Sequence, residues 1–211
     1  MSYHRGSSSG HPQSHHTTWG LASAPPTMSS APPSASPFSP SYHSSRPARN
    51  ISEIIPRLYI SDLAFAENPA LLMSYRITHI LSTMPDTIFR PPPSLLPVQP
   101  IRMQIRVDDL PFAELAEHLP HTTEFIRAAL DSHPEARVLV HCAEGVSRSV
   151  SVVAAYLMAQ FGYTPIEALA YIKGRRRVAN PNFGFVKQLH EYARNALGRP
   201  IPDPVLPAFS P

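Results

Sequence analysis

The sequence predicts an α/β fold, with a single central, mainly parallel β-sheet flanked by helices. Three observations predict it. Short strand-like runs alternate with longer helical patterns between residues 51 and 198. The buried-strand pattern 137–141 leads directly into a loop that contains Cys142, the only cysteine of the sequence. An almost wholly apolar run, 150–158, follows this loop, which is typical of a helix in the centre of a core.

Four strands are predicted from short runs of apolar and β-branched residues. The third run has the apolar and polar alternation of a half-buried strand. The predicted strands are residues 57–60, 77–81, 101–107 and 137–141. The proline-rich segment 85–100 is expected to be a loop within the domain and not a domain boundary.

Helical patterns lie between and after these strands. A short one covers 68–75, and a longer one covers 112–130 with an apolar stripe that is interrupted near Pro120. A Thr-Pro-Ile-Glu capping box predicts a helix over 164–173. Asn-Pro is expected to begin the last helix in the same way and a glycine to close it, over 180–198.

Composition divides the chain into three parts. Residues 1–50 contain no Ile, Val, Asp or Glu and are rich in Ser, Pro and His. Such a segment cannot bury enough apolar surface to offset its conformational entropy, so a disordered tail is predicted. Residues 51–198 are expected to form the single folded domain, and residues 199–211 a second, proline-rich tail.

Charge and cysteine content restrict the expected partners and compartment. The chain has 18 basic and 15 acidic residues, and the first 50 residues hold three of the arginines. The remainder is formally neutral, which argues against a nucleic-acid or membrane partner. There is no membrane-spanning run and no leader pattern, so export is not expected. A single cysteine forms no intramolecular disulfide, which favours a cytoplasmic or nuclear location or both.

The loop from His141 to Ser149 reads His-Cys-Ala-Glu-Gly-Val-Ser-Arg-Ser at a predicted helix N-terminus. Unpaired backbone N–H groups and the positive end of the helix dipole predict a phosphate-binding loop between a strand and the central helix. The same field favours the thiolate of Cys142. Arg148 supplies a planar fork of donors for phosphate oxygens, and Ser149 can donate to the sulfur. A buried inert cysteine is the alternative, but it has no need of Gly145 or Arg148.

Six consecutive residues of the loop are the expected phosphate ligands. They are Ala143, Glu144, Gly145, Val146, Ser147 and Arg148. Within this set, Glu144 and Val146 are expected at the rim, and a merely solvated side chain is the alternative for Glu144. No metal site and no cofactor are predicted.

This loop resembles the signature of the cysteine-dependent protein phosphatases, in their dual-specificity branch. The resemblance covers most of residues 51–197, and 51–198 is identified as a dual-specificity phosphatase catalytic domain. The segments that resemble the family, in chain order, are 54–61, 77–81, 155–158 and 181–189. Ser82 departs from the asparagine that the family usually carries after the second strand. This departure is expected to cost a supporting hydrogen bond without touching the chemistry.

The resemblance implies metal-independent removal of phosphate from phosphotyrosine and phosphoserine or phosphothreonine, through a phosphocysteine intermediate on Cys142. The leaving oxygen must be protonated, so an acid on a separate loop is expected. Asp109 is the first choice and Asp108 the alternative, while a solvated turn also explains this pair. His141 is expected to hydrogen-bond backbone near the loop and help keep the thiolate stabilised, or to be an ordinary satisfied histidine at a strand end.

A phosphorylated protein is the expected substrate, because the loop lacks the lysines expected for phosphoinositides. A protein kinase is a candidate partner, with a candidate role in kinase signalling. The basic run 173–177 is expected either to contact a second phosphate or an acidic docking face, or to be a solvated helix end. The alternatives are a non-catalytic phosphopeptide-binding protein, an enzyme acting on RNA 5′-triphosphate ends or phosphorylated glycan, and a rhodanese-like sulfur transferase.

Overall fold

The structure, a computed structural model, describes residues 50–199. The two tails predicted at the ends of the chain, 1–50 and 199–211, lie outside the described residues apart from Asn50 and Arg199. Between these two residues, no helix combines the length and apolarity that a membrane crossing requires.

Five strands form one sheet in the order β1-β2-β5-β3-β4. The first two strands are antiparallel, and β2, β5, β3 and β4 are mutually parallel. The strands are β1 Ser52–Ile55, β2 Leu58–Ser61, β3 His79–Thr83, β4 Ile101–Ile105 and β5 Val138–His141. The predicted mainly parallel sheet is confirmed.

The strand bounds differ from the predicted ones. The strand predicted over 57–60 is β2, and the strand predicted over 77–81 is β3, which begins two residues later. The sequence did not predict β1, which pairs with β2 as a hairpin because the chain turns at Pro56 and Arg57. Arg57 has a φ of 73°, the left-handed conformation that tight turns use. The strand predicted over 101–107 ends at Ile105, where pairing with β3 stops.

Six α-helices of the described segment, 50–199, surround the sheet. They are α1 Leu63–Ala66, α2 Pro69–Ser74, α3 Leu119–Ser132, α4 Arg148–Phe161, α5 Pro165–Arg175 and α6 Phe183–Asn195. The helix predicted over 112–130 begins later, with a 3-10 turn at Ala116–His118. Pro120 does not interrupt α3 but lies in its first turn, where its missing N–H leaves no hydrogen bond unmade.

The last helix begins two residues later than the sequence predicts. The N-cap is Asn182, whose side chain accepts a hydrogen bond from the backbone N–H of Phe185, and not Asn180. The capping box at Thr164 is present as predicted, with reciprocal bonds between Thr164 and Glu167. The cap at Asn182 places α6 beside the loop that follows β4.

The main core lies between the sheet and helices α3, α4, α5 and α6. Helix α4 is at its centre, and every residue from Arg148 to Met158 is buried. On the opposite face of the sheet, a smaller core packs Tyr59, Ile80 and Leu139 against the short helices α1 and α2. Burial on all sides fixes the N-terminus of α4 directly after the carboxyl end of β5.

Strand register brings four polar residues into one row across the carboxyl end of the sheet. Ser61 pairs with His141, His141 pairs with Ser82, and Ser82 pairs with Gln104. The next residue after His141 is Cys142. The register therefore places hydrogen-bonding side chains beside the start of the loop.

Gly184 allows α6 to approach the loop after β4, and its replacement by alanine should destabilise the fold. A Cβ at this position would lie 1.8 Å from the Pro111 carbonyl oxygen. We expect Gly184→Ala to lower the free energy of unfolding by about 1–3 kcal/mol, measured by urea denaturation. Gly174→Ala is the matched control, because no atom lies within 4 Å of its added Cβ. Equal stability of the two variants would contradict this packing.

Candidate active site

The loop wraps its backbone around the Cys142 sulfur. Gly145 has a φ of 69°, and its N–H donates to Cys142 Sγ at 3.1 Å. Ser149 Oγ lies 3.3 Å from the same sulfur. A Cβ on Gly145 would lie 2.5 Å from both the Ser61 carbonyl oxygen and an Arg176 guanidinium nitrogen. Only glycine fits this position, for reasons of both space and backbone conformation.

Cys142 is only 1% exposed. Burial raises the pKa of its thiol, but hydrogen bonds from the Ser149 hydroxyl and from backbone N–H groups of Ser149 and Val146 outweigh burial. The positive charge of Arg148 acts in the same direction, and the net result is a pKa below the ordinary value. The surroundings of Cys142 therefore favour the thiolate, as predicted.

A cavity of about 420 Å³ opens above the loop. Its lining joins predicted site residues from the loop and from the segment after β4 with two asparagines that precede α6. The lining residues are Asp109, Cys142, Ala143, Glu144, Val146, Ser147, Arg148, Asn180 and Asn182. Gly145 and Ser149 are buried behind this lining, where both contact the sulfur. Asp108 is exposed and is not part of the lining.

Arg148 is held at the cavity wall with an unused donor. Its side chain is buried, and one terminal nitrogen donates to the Val107 carbonyl at 3.2 Å. Its Nε has no hydrogen-bond partner and lies 3.6 Å from Asp109 Oδ2. A buried guanidinium donor without a partner is costly unless a ligand oxygen satisfies it.

The Asp109 carboxylate is fixed from one side. Its Oδ1 accepts hydrogen bonds from Ser147 Oγ at 2.6 Å and from Asn182 Nδ2 at 2.8 Å. Ser147 Oγ in turn accepts from the backbone N–H of Asn182 at 3.1 Å. These bonds occupy Oδ1 and leave Oδ2 beside Arg148. Of the two candidate acids, Asp109 lines the cavity and Asp108 does not.

His141 is buried behind the loop and is held by the polar row of the sheet. Its Nε2 lies 2.8 Å from Ser82 Oγ, and its Nδ1 lies 3.4 Å from the Cys142 carbonyl oxygen. Burial lowers its pKa to about 4, and nearby positive charges of Arg102 and Arg148 contribute. The ring is therefore neutral near pH 7 and supports the backbone at Cys142. Ser82, the departure from the family pattern, makes this hydrogen bond to His141.

Arg176 has neither of the roles predicted for the basic run. It is 4% exposed, and its guanidinium donates to the Gly145 carbonyl at 2.6 Å and the Glu144 carbonyl at 3.1 Å. Further bonds reach Asn50 O at 3.2 Å and Ser52 Oγ at 3.3 Å. The guanidinium thus fixes two loop carbonyls on the side of the loop away from the sulfur.

The other basic residues of this run lie near the surface of the end of α5. Lys173 donates to the Ala179 carbonyl at 3.1 Å, and the Arg175 guanidinium lies 3.5 Å from the centre of the Tyr171 ring. Arg177 is exposed. The interpretation as a solvated helix end thus fits Arg175 and Arg177 but not Arg176.

Sequence reasoning missed three supporting residues: Arg176, Asn182 and Ser82. A local signal for Asn182 was available, since asparagine is among the most favoured N-cap residues. No comparable signal distinguishes Arg176 from the arginines on either side of it. Within residues 50–199, no group of three His, Cys, Asp or Glu side chains is arranged to hold a metal ion.

The buried neutral His141 should make the fold sensitive to mild acid. Its pKa is about 4 in the folded chain, whereas an exposed ring in the unfolded chain binds a proton from about pH 6.5 downwards. Stability from this group is therefore present above pH 6.5 and is lost as the pH falls towards 4. We expect a decrease of up to about 3 kcal/mol across this window, measured by denaturant unfolding.

The variant His141→Asn should have a flatter stability profile between pH 4 and 6.5. His121→Asn, at an exposed histidine of α3, is the matched control and should keep the slope of the unmutated chain. The same slope in His141→Asn as in the control would show that His141 does not cause the acid sensitivity.

Comparisons with known proteins agree with this geometry. Residues 58–195 match the family described as the dual specificity phosphatase catalytic domain. The chain is 36% identical over 150 residues to Dual specificity protein phosphatase 1 of Arabidopsis thaliana. This alignment covers 69% of the chain and 71% of that relative. It is 35% identical over 169 residues to the Protein phosphatase Slingshot homolog of Xenopus laevis, covering 76% of the chain but only 23% of that longer protein.

Among solved structures, the human tyrosine phosphatase-like serine/threonine/tyrosine-interacting protein has a similar fold. The TM-score is 0.63 at 32% sequence identity, and the match covers 71% of the chain and 99% of that structure. The residues that the family model matches, 58–195, include the whole loop and the Asp109 segment. The chain therefore belongs to the dual specificity phosphatase family, with its catalytic domain at residues 58–195.

Proposed function

We propose that this protein phosphatase hydrolyses phosphotyrosine, phosphoserine and phosphothreonine with Cys142 as nucleophile, Arg148 as phosphate ligand and Asp109 as general acid. One observation supports this assignment above the others. A cysteine whose surroundings favour the thiolate, a buried guanidinium with a free donor and a fixed carboxylate line the same cavity. Each of the three is needed for phosphoryl transfer, and a simple binding pocket has no need of the thiolate or the acid.

In the first step, the Cys142 thiolate attacks phosphorus in line with the leaving oxygen. A sulfur–phosphorus bond forms, the phosphorus–oxygen bond breaks, and Asp109 transfers its proton to the departing oxygen. Loop N–H groups and Arg148 stabilise the charge on the equatorial oxygens. The products are the dephosphorylated side chain and a phosphocysteine.

In the second step, Asp109, now ionised, takes a proton from a water molecule as that water attacks phosphorus. The sulfur–phosphorus bond breaks, and the thiolate and phosphate are released. Ser149, 3.3 Å from the sulfur, donates a hydrogen bond to the departing thiolate. No oxidant, reductant or metal ion enters this balance, and the loop and Arg148 supply the positive charge that a metal would otherwise provide.

A phosphorylated protein is the substrate class that we propose. The loop residues between Cys142 and Arg148 contain no lysine that could meet the additional phosphates of an inositol lipid. The formally neutral composition from residue 51 onwards likewise gives no support to a nucleic-acid or membrane partner. A protein kinase as partner, a role in signalling, and a cytoplasmic or nuclear location extend the same proposal.

Substitution of Cys142 and of Asp109 should separate the role of the nucleophile from that of the general acid. In the full chain and in the presence of a metal chelator, Cys142→Ser should abolish hydrolysis. Asp109→Asn should lower kcat about 10²- to 10⁴-fold on a phosphothreonine peptide, whose alkoxide leaving group needs a proton. The loss on p-nitrophenyl phosphate should be smaller, because nitrophenolate leaves without a proton. Release of inorganic phosphate measures the hydrolysis of both substrates by both variants.

Asp108→Asn is the matched control and should retain the activity of the unmutated chain on both substrates. Loss of activity in Asp108→Asn, with Asp109→Asn unaffected, would reverse the assignment. Tight phosphopeptide binding without turnover by the unmutated chain would instead indicate a phosphate-binding module. Turnover that stops when the chelator is added would contradict the proposed metal independence.

Arg176 should act on the reaction only through the loop. Without its guanidinium, the carbonyls of Glu144 and Gly145 lose their partners, and the N–H groups that face the sulfur are less well fixed. We expect Arg176→Met to reduce kcat/KM for p-nitrophenyl phosphate about tenfold or more and to shift the acidic limb of its pH profile upwards. Arg176→Lys should recover part of the rate.

The matched control is Arg177→Met, at an exposed arginine next in the chain. Its pH profile should equal that of the unmutated protein. A lower rate for Arg176→Met with an unshifted acidic limb would mean that Arg176 stabilises the fold without influencing the Cys142 thiolate.

A further inference from the structure

Three large apolar side chains beside the cavity are exposed. Leu110 is 43% exposed, Phe112 is 78% exposed and Phe183 is 52% exposed. We call these three residues the apolar rim. A single exposed apolar residue needs no explanation, but several beside a binding cavity are typical of an interaction surface.

The apolar rim is attached to the residues that form the cavity. Leu110 directly follows Asp109, and Phe183 directly follows Asn182, whose side chain donates to the Asp109 carboxylate at 2.8 Å. The backbones of Pro111 and Gly184 approach so closely that a Cβ on Gly184 would lie 1.8 Å from the Pro111 carbonyl oxygen. The two segments that carry the rim thus meet next to the proposed general acid.

The segment that carries Leu110 and Phe112 is also fixed at its far end. Gln188 of α6 accepts hydrogen bonds from the backbone N–H groups of Leu115 and Ala116, each at 2.7 Å. Its amide nitrogen donates to the Ala113 carbonyl at 2.8 Å. A segment held at both ends presents its apolar side chains from a backbone that is already ordered, which reduces the ordering cost of binding.

We propose that the apolar rim binds large aliphatic or aromatic side chains that lie one or two residues from the phosphorylated residue of a substrate protein. This proposal rests on the proposed function, since the phosphorylated residue must enter the cavity above Cys142. Successive residues of an extended peptide are about 3.5 Å apart, so neighbours of the phosphorylated residue lie just outside the cavity. Leu110 and Phe183 each directly follow a residue that lines the cavity. They therefore lie where the neighbours of the phosphorylated residue are expected.

The test compares two phosphothreonine peptides on the full chain. One carries leucine at the two positions on each side of phosphothreonine, and the other carries alanine there. We expect kcat/KM to be about tenfold or more higher for the leucine peptide, since burying even one leucine gives an effect of this size. In the double variant Phe112→Ser/Phe183→Ser, the ratio of the two rates should fall to about one.

Ile166→Ser is the matched control variant. Ile166 is 68% exposed on α5, next to the end of α4 that lies away from the loop. This variant should keep the preference for the leucine peptide. Both peptides carry phosphothreonine, so a contact of the apolar rim with a phosphotyrosine ring cannot produce the preference for the leucine peptide.

The outcomes separate this proposal from the proposed function. If the unmutated chain hydrolyses neither peptide nor p-nitrophenyl phosphate, the proposed function fails. If it hydrolyses both peptides at equal kcat/KM, the enzyme assignment stands and the apolar rim proposal is overturned. Dimers of the unmutated chain that dissociate in the double variant, with equal rates on both peptides, would overturn it in favour of a contact between two copies.

Discussion

The nearly inaccessible sulfur of Cys142, whose surroundings lower its pKa, is the constraint on which the rest of this structure depends. Burial of Cys142 on its own favours the neutral thiol, and only directed hydrogen bonds and positive charge reverse that preference. The donors are backbone N–H groups of the loop and the Ser149 hydroxyl, all at fixed positions. The fold therefore has to hold the nine-residue loop in one conformation.

Several parts of the fold serve that requirement. The apolar helix α4 cannot shift in the core, so its N-terminus stays at the end of β5. Gly145 accepts the left-handed backbone conformation, and Arg176 satisfies the carbonyls that the loop turns away from the sulfur. Neutral His141 and Ser82 complete the support from the sheet side. The loop N–H groups point towards the sulfur as donors because the loop carbonyls have hydrogen-bond partners on the other side.

The carboxylate of Asp109 belongs to the same system. It bonds to Ser147 of the loop and to Asn182 at the start of α6, so the loop, the segment after β4 and α6 meet at a single side chain. Gly184 permits this meeting by leaving room for the Pro111 carbonyl. The exposed apolar side chains beside Asp109 extend the same junction towards solvent.

Much of this arrangement could be predicted from the sequence, because local patterns determine it. The strand before Cys142, the largely apolar α4 and the capping box of α5 each depend on neighbouring residues alone. The position of Arg176 depends on contacts with residues 31, 32 and over 120 positions away. Among three consecutive arginines, nothing local distinguishes the buried one. The sequence favours Asp109 over Asp108 only by the family resemblance, and the hydrogen bond from Asn182 to Asp109 depends on the folded chain.

The ionisation of Cys142 tests this account most directly. The chain has one cysteine, so the thiolate absorbance near 240 nm of the full protein, minus that of Cys142→Ser, reports this residue alone. We expect a titration midpoint below the value of an ordinary free cysteine, because hydrogen bonds from the loop favour the thiolate despite burial. A midpoint at or above the ordinary value would mean that desolvation prevails and would contradict the thiolate mechanism.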